Sequence, residues 1–331
     1  MVLIAEGDPR TPDVTVISTS LNLGRFLAET LDSVSMQSGV LIEHLVVDGG
    51  STDQSIKILR ENPFIRWISE PDRNYSDAFL KGLRLARGQI IAQCAVSDGY
   101  IDRGWLQSCV SLLDANPQIA AVWGLPQSMD EAGNLGKVSY TERWPLRAPS
   151  GTDFFEYWLK TQFHMPEGNI CARRGVIETC FPMEAIIDNG IEPWLEFNYQ
   201  FHTRGYLAAH IPVVANFGRM HGGSIGQIEI KTRSGPKKYK RYLRKCSNYQ
   251  FKTVLLGQPH DFKEPLNRAF IRSRKSERLA PRLMNFIRMR TSQATVLRFV
   301  HLFILNGRPF PRVLLNLRNL ILGRTSNHKQ E

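Results

Sequence analysis

The sequence lacks several features that would place it in a familiar class of protein. Its five cysteines are odd in number, widely spaced and free of any C-x-x-C pair, which argues against a disulfide framework or a zinc ribbon. A reducing cytoplasm is therefore the expected compartment. The first residues, MVLIAEGDPRTPD, include acids and prolines where a signal peptide needs a basic start and an apolar core. No stretch reaches the roughly 18 apolar residues of a membrane-spanning helix.

Glycine-based nucleotide signatures are also absent. Neither the GxGxxG string of dinucleotide-binding dehydrogenases nor the GxxxxGKS/T phosphate loop occurs, so a Rossmann dehydrogenase is disfavoured. The composition is that of an ordinary folded protein, with 42% hydrophobic and 22% charged residues. A chain of 331 residues can form one large α/β domain with an appendage or two modest domains, and either can shape a pocket.

Charge is distributed unevenly along the chain. Residues 1–230 hold 18 basic and 27 acidic residues, whereas residues 231–331 hold 24 basic and only 4 acidic residues. We therefore predict a folded domain at 1–225 and a basic, largely helical C-terminal region at 226–331. In that region Leu, Ile and Phe interleave with Arg at helical spacing, which is typical of helices lying among anionic lipid head groups.

Two alternatives remain open for the basic region. Its helices could pack on the catalytic domain and merely expose their arginines. Nucleic-acid binding is the third interpretation, but no recognisable nucleic-acid module is present. The favoured prediction is a cytoplasmic protein that is peripheral on the inner face of the cell membrane and binds no nucleic acid.

Strand-like and helix-like segments alternate along the first two thirds of the chain. Apolar runs predict strands at 14–19, 43–48, 64–70, 89–95 and 119–125. Helical periodicity predicts helices around 26–34, 51–61, 75–88, 102–115, 153–163 and 192–205. This alternation predicts an α/β fold with a mainly parallel sheet flanked by helices, and with ligands at the carboxyl ends of the strands.

The string VVDGGSTD (46–53) is the first segment that suggests chemistry. Asp48 falls at the end of an apolar strand, and the following glycines allow a tight turn. A carboxylate in that position can accept hydrogen bonds from a base N–H or a ribose hydroxyl. A plain strand-to-helix turn explains the string equally well when it is taken alone.

Three segments together are more specific than any one of them. TVISTSLNLGRFLAETLDSVSMQ, EHLVVDGGSTD and SEPDRNYSDAFLKGLRLARGQIIAQCAVSDGY, in this order and spacing, resemble family 2 of the inverting glycosyltransferases, which have the GT-A fold. The resemblance covers about residues 13–225 and is strong through residue 110. It implies a nucleotide-sugar donor, a divalent metal (Mn²⁺ or Mg²⁺) and single-displacement transfer with inversion.

The resemblance also suggests a biological setting. The acceptor is expected to be a hydroxyl of a glycan or of a lipid-linked molecule, in cell-surface polysaccharide synthesis. The alternative is a catalytically silent relative that binds nucleotide or partners.

The resemblance assigns these residues to the donor: Thr19, Ser20, Asn22, Asp48, Asp72, Asp77 and Lys81. Asp48 is expected to contact the base, and Asp72 belongs to the segment that lines the nucleotide side of the donor. Asp77 could accept hydrogen bonds from hydroxyls, and Lys81 could face the diphosphate as a point charge. Without the neighbouring motifs, Asp77 and Lys81 would be interpreted as a solvated helix face.

VSDGY (96–100) lies where the family carries its acidic metal motif. Carboxylate oxygens are suitable ligands for Mg²⁺ or Mn²⁺, which neutralise charge on the leaving nucleotide. Only Asp98 remains of the usual acidic pair or triplet. A metal held by Asp98 and the donor phosphates, a weak metal dependence and a simple turn at Asp98 all remain possible. His221, in RMHGGS, could complete the metal shell or donate a hydrogen bond to a phosphate.

The acceptor hydroxyl needs a general base. Glu192 precedes Pro193, a favoured first helical residue, so its carboxylate is expected at the mouth of a helix. Glu196, one turn further on, and Asp188, in the preceding loop, are the alternatives. Glu167 and Asn169, in MPEGN (165–169), are predicted to line the acceptor pocket.

Overall fold

The computed structural model describes residues 9–139, 158, 162–182, 192–224 and 235–250. The chain divides into two compact units, Met1–Cys246 and Ser247–Glu331, and the second lies almost wholly outside the described residues. The predicted domain boundary at 225, most of the predicted helix at 153–163 and the Arg-rich segments after residue 250 also lie outside them.

Strands and helices alternate along the described residues. The strands are β1 (Val14–Ser20), β2 (Ile42–Asp48), β3 (Arg66–Ser69), β4 (Ile90–Gln93), β5 (Gly99–Tyr100), β6 (Ile119–Met129), β7 (Leu135–Val138), β8 (Cys171–Arg173) and β9 (Leu207–Arg219). The helices are α1 (Gly24–Ser35), α2 (Ser55–Arg60), α3 (Tyr75–Leu85), α4 (Trp105–Ala115), α5 (Arg174–Cys180), α6 (Pro193–Thr203) and α7 (Gly235–Gln250). A short 3-10 helix lies at Glu167–Asn169.

The strands of the described residues form one 9-stranded sheet in the order β3-β2-β1-β4-β8-β6-β9-β5, with β7 paired to β6. The first four strands pair in parallel, as do β6 and β9. The predicted α/β fold with a mainly parallel sheet is thereby confirmed. The antiparallel β5 and β8 were not predicted, because strands of 2 and 3 residues are too short to show a period.

The central strands are buried on both faces, so both faces carry mainly apolar side chains. Every residue of β1 and β2 is buried. On α3 the side chains of Phe79, Leu80 and Leu83 are buried at helical spacing, in the same cluster as Ile17 of β1. Full burial of such a side chain contributes about 1.5–3 kcal/mol. This packing fixes the strand ends, and therefore the loops that follow them.

Helix α7, at the start of the basic region, packs on the first unit through one face. Tyr242 and Cys246 are fully buried, and the Tyr242 hydroxyl donates to the carbonyl oxygen of Phe163 at 3.2 Å. The indole N–H of Trp158 lies 3.3 Å from the same hydroxyl. The first turns of the basic region therefore belong to the folded unit. Within the described part of the chain, no helix is long and apolar enough to cross a bilayer.

Candidate donor and acceptor site

Asp48 is a fully buried residue at the end of β2, and its carboxylate organises the turn that follows. Oδ2 accepts hydrogen bonds from the backbone N–H of Ser51 at 2.8 Å and from the hydroxyl of Ser69 at 2.7 Å. Oδ1 accepts from the hydroxyl of Ser51, and Gly50 takes a φ of +86°, which glycine adopts readily. Both oxygens are therefore engaged within the protein, and Asp48 shapes the donor loop.

Asn22 connects the loop after β1 to the loop after β2. Its Oδ1 accepts from the backbone N–H of Thr52 at 2.8 Å, and its own N–H donates to the hydroxyl of Ser51 at 2.7 Å. Thr19 and Ser20 end β1 and are almost completely buried. Among the described residues the buried Ser20 hydroxyl has no hydrogen-bond partner.

Asp72 presents a carboxylate over the glycine turn. A Cβ placed on Gly49 would lie 2.4 Å from Oδ2 of Asp72, so the carboxylate fills the space where a side chain at 49 would be. Asp72 is half-buried and makes no hydrogen bond within the described residues. Its pKa is raised, chiefly by burial and also by the charges of Asp77 and Asp48, while Lys81 acts in the opposite direction. Asp72 is thus the donor-side carboxylate with free acceptor capacity.

Asp77 and Lys81 stabilise the loop that carries Asp72. Asp77 pairs with Arg73 at 2.6 Å. Lys81 donates to the carbonyl oxygen of Pro71 at 2.7 Å and lies 2.9 Å from Glu70. Both side chains therefore hold residues 70–73 in place. They would contribute to donor binding by positioning Asp72 rather than by contacting the donor.

Asp98 lies in a strained turn after β4. The preceding Ser97 has a φ of +97°, a conformation that costs a non-glycine residue about 1–3 kcal/mol and concentrates at functional sites. Thr30 holds the turn, since its hydroxyl donates to the carbonyl oxygen of Asp98 at 2.7 Å and accepts from the N–H of Ser97 at 3.2 Å. Arg219, at the end of β9, donates its backbone N–H to Oδ1 of Asp98 at 3.0 Å.

The other carboxylate oxygen of Asp98 has no hydrogen-bond partner in the described part of the chain. Burial raises the pKa of Asp98 to about 7, although the N–H and the charge of Arg219 lower it. At position 99 a side chain has little room, because a Cβ on Gly99 would lie 2.6 Å from the ring of Phe217. Packing against β9 therefore disfavours an acidic residue directly after Asp98.

His221 follows Arg219, whose backbone N–H donates to Asp98, by two residues. The imidazole is buried, 5.1 Å from the ring of Phe26, and its Nδ1 accepts from the N–H of Gly223 at 3.3 Å. That hydrogen bond assigns the proton to Nε2, which favours donation to a phosphate over ligation of a cation. No group of three or more His, Cys, Asp or Glu side chains suited to a metal occurs in the described ranges. The unpartnered oxygen of Asp98 fits a cation that shares its shell with donor phosphates.

Glu192 caps helix α6, as the sequence predicts for the residue before Pro193. Oε1 accepts from the N–H of Trp194 at 3.0 Å, and Oε2 accepts from the N–H of Leu195 at 2.8 Å. The Tyr75 hydroxyl, from the first residue of α3, also donates to Oε1. Burial raises the pKa of Glu192 above its ordinary value, while these hydrogen bonds and the charge of Lys238 lower it. These hydrogen bonds hold the Glu192 carboxylate at a defined place beside the start of α3.

The alternatives to Glu192 have different surroundings. Glu196 is buried and lies 2.6 Å from Nζ of Lys245, and the side-chain amide of Gln200 donates to it at 2.7 Å. Asp188 lies outside the described residues. Glu196 therefore connects α6 to α7.

The remaining acceptor-side residues differ in exposure. Glu167 is exposed, and its charge acts on Tyr75. Asn169 is buried and donates to the carbonyl oxygen of Gly124 at 2.9 Å and to Oδ1 of Asn216 at 3.0 Å. Glu167 thus lies at the surface, whereas Asn169 joins the 3-10 helix to β6 and β9.

Sequence reasoning missed two residues that the structure brings to the site, Tyr75 and Arg219. Both lie inside segments that the sequence had already singled out, so closer attention to those segments could have found them.

The parallel strands with carboxylates at their carboxyl ends define an α/β protein with a candidate ligand site at that edge of the sheet. The sequence matches the family described as glycosyl transferase family 2 over residues 15–181, so the chain belongs to that family. Its fold is the GT-A fold of these glycosyltransferases.

Curated relatives match only part of the chain. The chondroitin synthase of Escherichia coli is 27% identical over 141 residues, which is 41% of this chain and 20% of that protein. An uncharacterized glycosyltransferase of Mycobacterium tuberculosis is 32% identical over 130 residues, covering 38% of this chain and 49% of that one. The matched region thus spans about a fifth and about half of these relatives.

Solved structures match over a longer range. S. aureus TarS 1-349 in complex with UDP-GlcNAc has a TM-score of 0.51 at 13% identity and covers 83% of this chain and 85% of that one. The mannosyltransferase PcManGT from Pyrobaculum calidifontis, in complex with GDP-Man and Mn²⁺, has a TM-score of 0.49 at 17% identity and covers 97% and 88%. At such identity the likeness to TarS shows the fold alone.

Proposed function

We propose that the protein moves a sugar, with inversion, from a nucleoside-diphosphate sugar to a hydroxyl of a glycan or lipid-linked acceptor in cell-surface polysaccharide synthesis. The observation that carries the proposal is the placement of unpartnered carboxylate oxygens, on Asp72 and Asp98, in loops that follow strands of the parallel sheet. Family membership supports sugar transfer from a nucleotide sugar. Inversion and the acceptor class are part of the proposal.

On the donor side, each free polar group has a distinct role. Asp72 and Ser20 receive the nucleoside through its hydroxyl and N–H groups. Asp98 would hold a Mn²⁺ or Mg²⁺ ion through its unpartnered oxygen, and such an ion would neutralise charge on the leaving diphosphate. His221 donates from Nε2 to a diphosphate oxygen. Asp48 and Asn22 keep the two loops in the shape that these contacts need.

On the acceptor side, Glu192 acts as the general base. The acceptor oxygen attacks the anomeric carbon while the bond from that carbon to the diphosphate breaks, and Glu192 takes the proton of the attacking hydroxyl. Attack from the face opposite the leaving group inverts the anomeric centre. Burial raises the pKa of Glu192, which makes it a stronger base than an exposed carboxylate. Glu167, exposed near Tyr75, contacts acceptor hydroxyls.

Calorimetric titration with UDP and GDP, with and without Mn²⁺, tests the donor side. Asp72→Asn is expected to weaken binding under both conditions, and Asp98→Asn mainly when Mn²⁺ is present. Asp114→Asn, an exposed position on α4, is the matched control and should bind as the wild type does. Unchanged affinity in both Asp72→Asn and Asp98→Asn would contradict the donor-side assignment.

Binding to an anionic membrane from the cytoplasmic side is the second part of the proposal. The exposed Lys237, Lys240 and Arg244 recur at helical spacing on α7, opposite the buried Tyr242. The excess of basic over acidic residues continues to the end of the chain. A basic stripe next to a positively charged segment suits phosphate-bearing head groups.

Vesicle co-sedimentation tests this surface without truncating the chain. Replacing Lys237, Lys240 and Arg244 together by Gln should weaken binding to vesicles with anionic lipid by roughly a hundredfold. Replacing Lys57, Arg60 and Arg84, exposed on α2 and α3, changes the net charge equally and serves as the control. Equal losses from both triple variants, or equal binding to neutral vesicles, would contradict a membrane surface on α7.

The competing hypothesis is a catalytically silent relative, and the packing of Phe217 against Gly99 is the observation that favours it. Such a protein would bind nucleotide but leave nucleotide sugars intact. Hydrolysis of UDP-GlcNAc or GDP-mannose by the wild type, and its loss in Glu192→Gln or Asp98→Asn, would exclude it.

A further inference from the structure

The side chain of Arg219 is a buried cation that joins three segments of the first unit. Its Nε donates to the carbonyl oxygen of Ser97 at 3.3 Å. Its Nη1 donates to the carbonyl oxygens of Asp130 and Glu131, both at 3.3 Å, and its Nη2 pairs with the carboxylate of Glu29 on α1. Only 3% of the side chain is exposed, so the guanidinium is engaged within the protein.

Ser97 is held in its left-handed conformation through both of its backbone polar groups. Its N–H donates to the hydroxyl of Thr30 at 3.2 Å, and its carbonyl oxygen accepts from Arg219. Thr30 comes from α1 and Arg219 from β9, so elements distant in sequence hold one residue. A strained conformation such as the φ of +97° at Ser97 persists only where surrounding contacts over-determine it.

The same contacts determine where the carboxylate of Asp98 points. The backbone N–H of Arg219 binds Oδ1 at 3.0 Å, and Thr30 donates to the carbonyl oxygen of Asp98 at 2.7 Å. A Cβ placed on Gly168 would lie 3.9 Å from Oδ2, the carboxylate oxygen that makes no hydrogen bond within the described residues. The free oxygen therefore lies next to a glycine of the 3-10 helix, which has no side chain to cover it.

We propose that Arg219 is a positioning residue for Asp98, whose side chain fixes Ser97 in the strained turn and so fixes the free carboxylate oxygen where a divalent cation binds. The inference rests on the proposed function, in which Asp98 holds Mn²⁺ or Mg²⁺ beside the diphosphate. Arginine suits the task because its planar guanidinium carries five N–H donors and can bond to several segments at once, whereas lysine has three donors on a single nitrogen.

The test measures how much Mn²⁺ tightens nucleotide binding, from calorimetric titrations of the full-length chain with UDP and GDP in the presence and absence of Mn²⁺. Arg219→Lys should lower this factor about tenfold to a hundredfold, as is typical when a residue that orients a metal ligand is changed. Affinity without Mn²⁺ should remain that of the wild type. Glu29→Gln, at the half-exposed partner of the same guanidinium, is the milder variant and should lower the factor by less.

Arg173→Lys is the matched control for loss of structure. Arg173 also binds backbone carbonyl oxygens, those of Ile119 at 3.0 Å and Leu113 at 2.6 Å. It pairs with Ile90, at the end of β4 that lies farther from Asp98. Arg173→Lys should therefore lower the melting temperature but leave the Mn²⁺ factor unchanged. An equal loss of the factor in Arg173→Lys and Arg219→Lys would contradict a specific role for Arg219.

Ser97→Gly tests whether Arg219 acts through the turn. Glycine adopts a positive φ readily, so a turn with glycine at 97 depends less on the guanidinium. Ser97→Gly should therefore restore most of the Mn²⁺ factor that Arg219→Lys loses, and the double-mutant cycle measures this coupling. Losses that simply add in the double variant would overturn the inference.

Asp98→Asn separates failure of this inference from failure of the proposed function. If Mn²⁺ does not tighten nucleotide binding to the wild type, or if Asp98→Asn keeps the factor, the metal assignment is wrong and the inference falls with it. If Asp98→Asn loses the factor while Arg219→Lys and Glu29→Gln keep it, the inference is wrong and the metal assignment stands. All titrations are made well below the melting temperature of each variant, which excludes partial unfolding as the cause.

Discussion

The proposed donor side is formed by the chain from Thr19 to Asp98 together with His221, and most of its polar groups lie where a strand ends. The acceptor side gathers Tyr75, the 3-10 helix at Glu167–Asn169, α6 and α7, which are distant in sequence. On the donor side, Asp72 and Asp98 keep unpartnered oxygens. On the acceptor side, the carboxylate of Glu192 is held by helix N–H groups and a tyrosine. The proposed donor side therefore keeps free acceptor oxygens, whereas the proposed base on the acceptor side already has its hydrogen bonds within the protein.

The largest difference between the donor side and the acceptor side should appear in Glu192→Gln, which should lose transfer and keep nucleotide binding. Glutamine keeps the shape of the side chain but cannot accept the proton of the acceptor hydroxyl, so kcat should fall by about a hundredfold to ten-thousandfold. Calorimetric affinity for UDP or GDP should remain that of the wild type, because Glu192 acts on the acceptor. Near-normal transfer by Glu192→Gln, with collapse in Glu196→Gln or Asp188→Asn, would move the role to that residue.

Lys245→Met should give the next largest effect, on stability. Glu196 would remain buried with only the amide of Gln200 beside it. Because Lys245 is itself partly exposed, we expect the free energy of unfolding to fall by about 1–3 kcal/mol, which is less than for a fully buried pair. Urea denaturation measures this, with the exposed Arg244→Met as the control. Equal stability of the two variants would show that the pair does not hold α7 to α6.

Gly99→Ala tests whether the Phe217 ring restricts the position directly after Asp98. A methyl group at 99 would lie within 2.6 Å of the Phe217 ring, and such overpacking typically costs about 1–3 kcal/mol. Gly218→Ala, one residue beyond Phe217, meets no atom within 4 Å and is the matched control. If Gly99→Ala unfolds at the same urea concentration as Gly218→Ala, then Phe217 does not restrict position 99.

The two halves also differ in how far the sequence predicts them. β1 to β4 and α3 were predicted because apolar periodicity is a local property. The end of a strand at Asp48 was predicted in the same way. Its hydrogen bond from Ser69 was not, because Ser69 comes from the neighbouring strand β3 and only the sheet register brings the two together.

Contacts on the acceptor side cross much longer distances in sequence. The position of Glu192 at a helix mouth follows locally from Pro193. Its contact with Tyr75 spans 117 residues, and the contact of Glu196 with Lys245 spans 49. Nothing in a basic run marks Lys245 as facing inward, since exposure is decided by the packing of the whole unit. The position of Glu192 at a helix mouth could therefore be predicted from the sequence, whereas its surroundings could not.

The smallest effect should be a pH dependence of stability, which a buried histidine in β2 and one in α6 both produce. His44, in β2, and His202, in α6, are both fully buried, and burial lowers the pKa of each to about 3. An unfolded histidine titrates near pH 6.5, so below that pH the unfolded state binds a proton that the folded state excludes. Each histidine therefore makes the free energy of unfolding decrease as the pH falls from about 6.5 towards 3, by about 1 kcal/mol per pH unit.

Urea denaturation at pH 7.5, 6.5 and 5.5 measures this slope in wild type, His44→Phe and His202→Phe. Each variant should lose about 1 kcal/mol less than the wild type between pH 6.5 and 5.5, because one proton-excluding site is gone. His44→Phe should also be less stable at pH 7.5, since Ser18 loses its hydrogen bond to Nε2, which is 2.9 Å long. His202→Phe keeps a ring against Trp158, whose centroid is 4.7 Å away, and should lose less at pH 7.5. A wild-type slope in either variant would show that its histidine becomes protonated without unfolding, and would place solvent access in that half of the molecule.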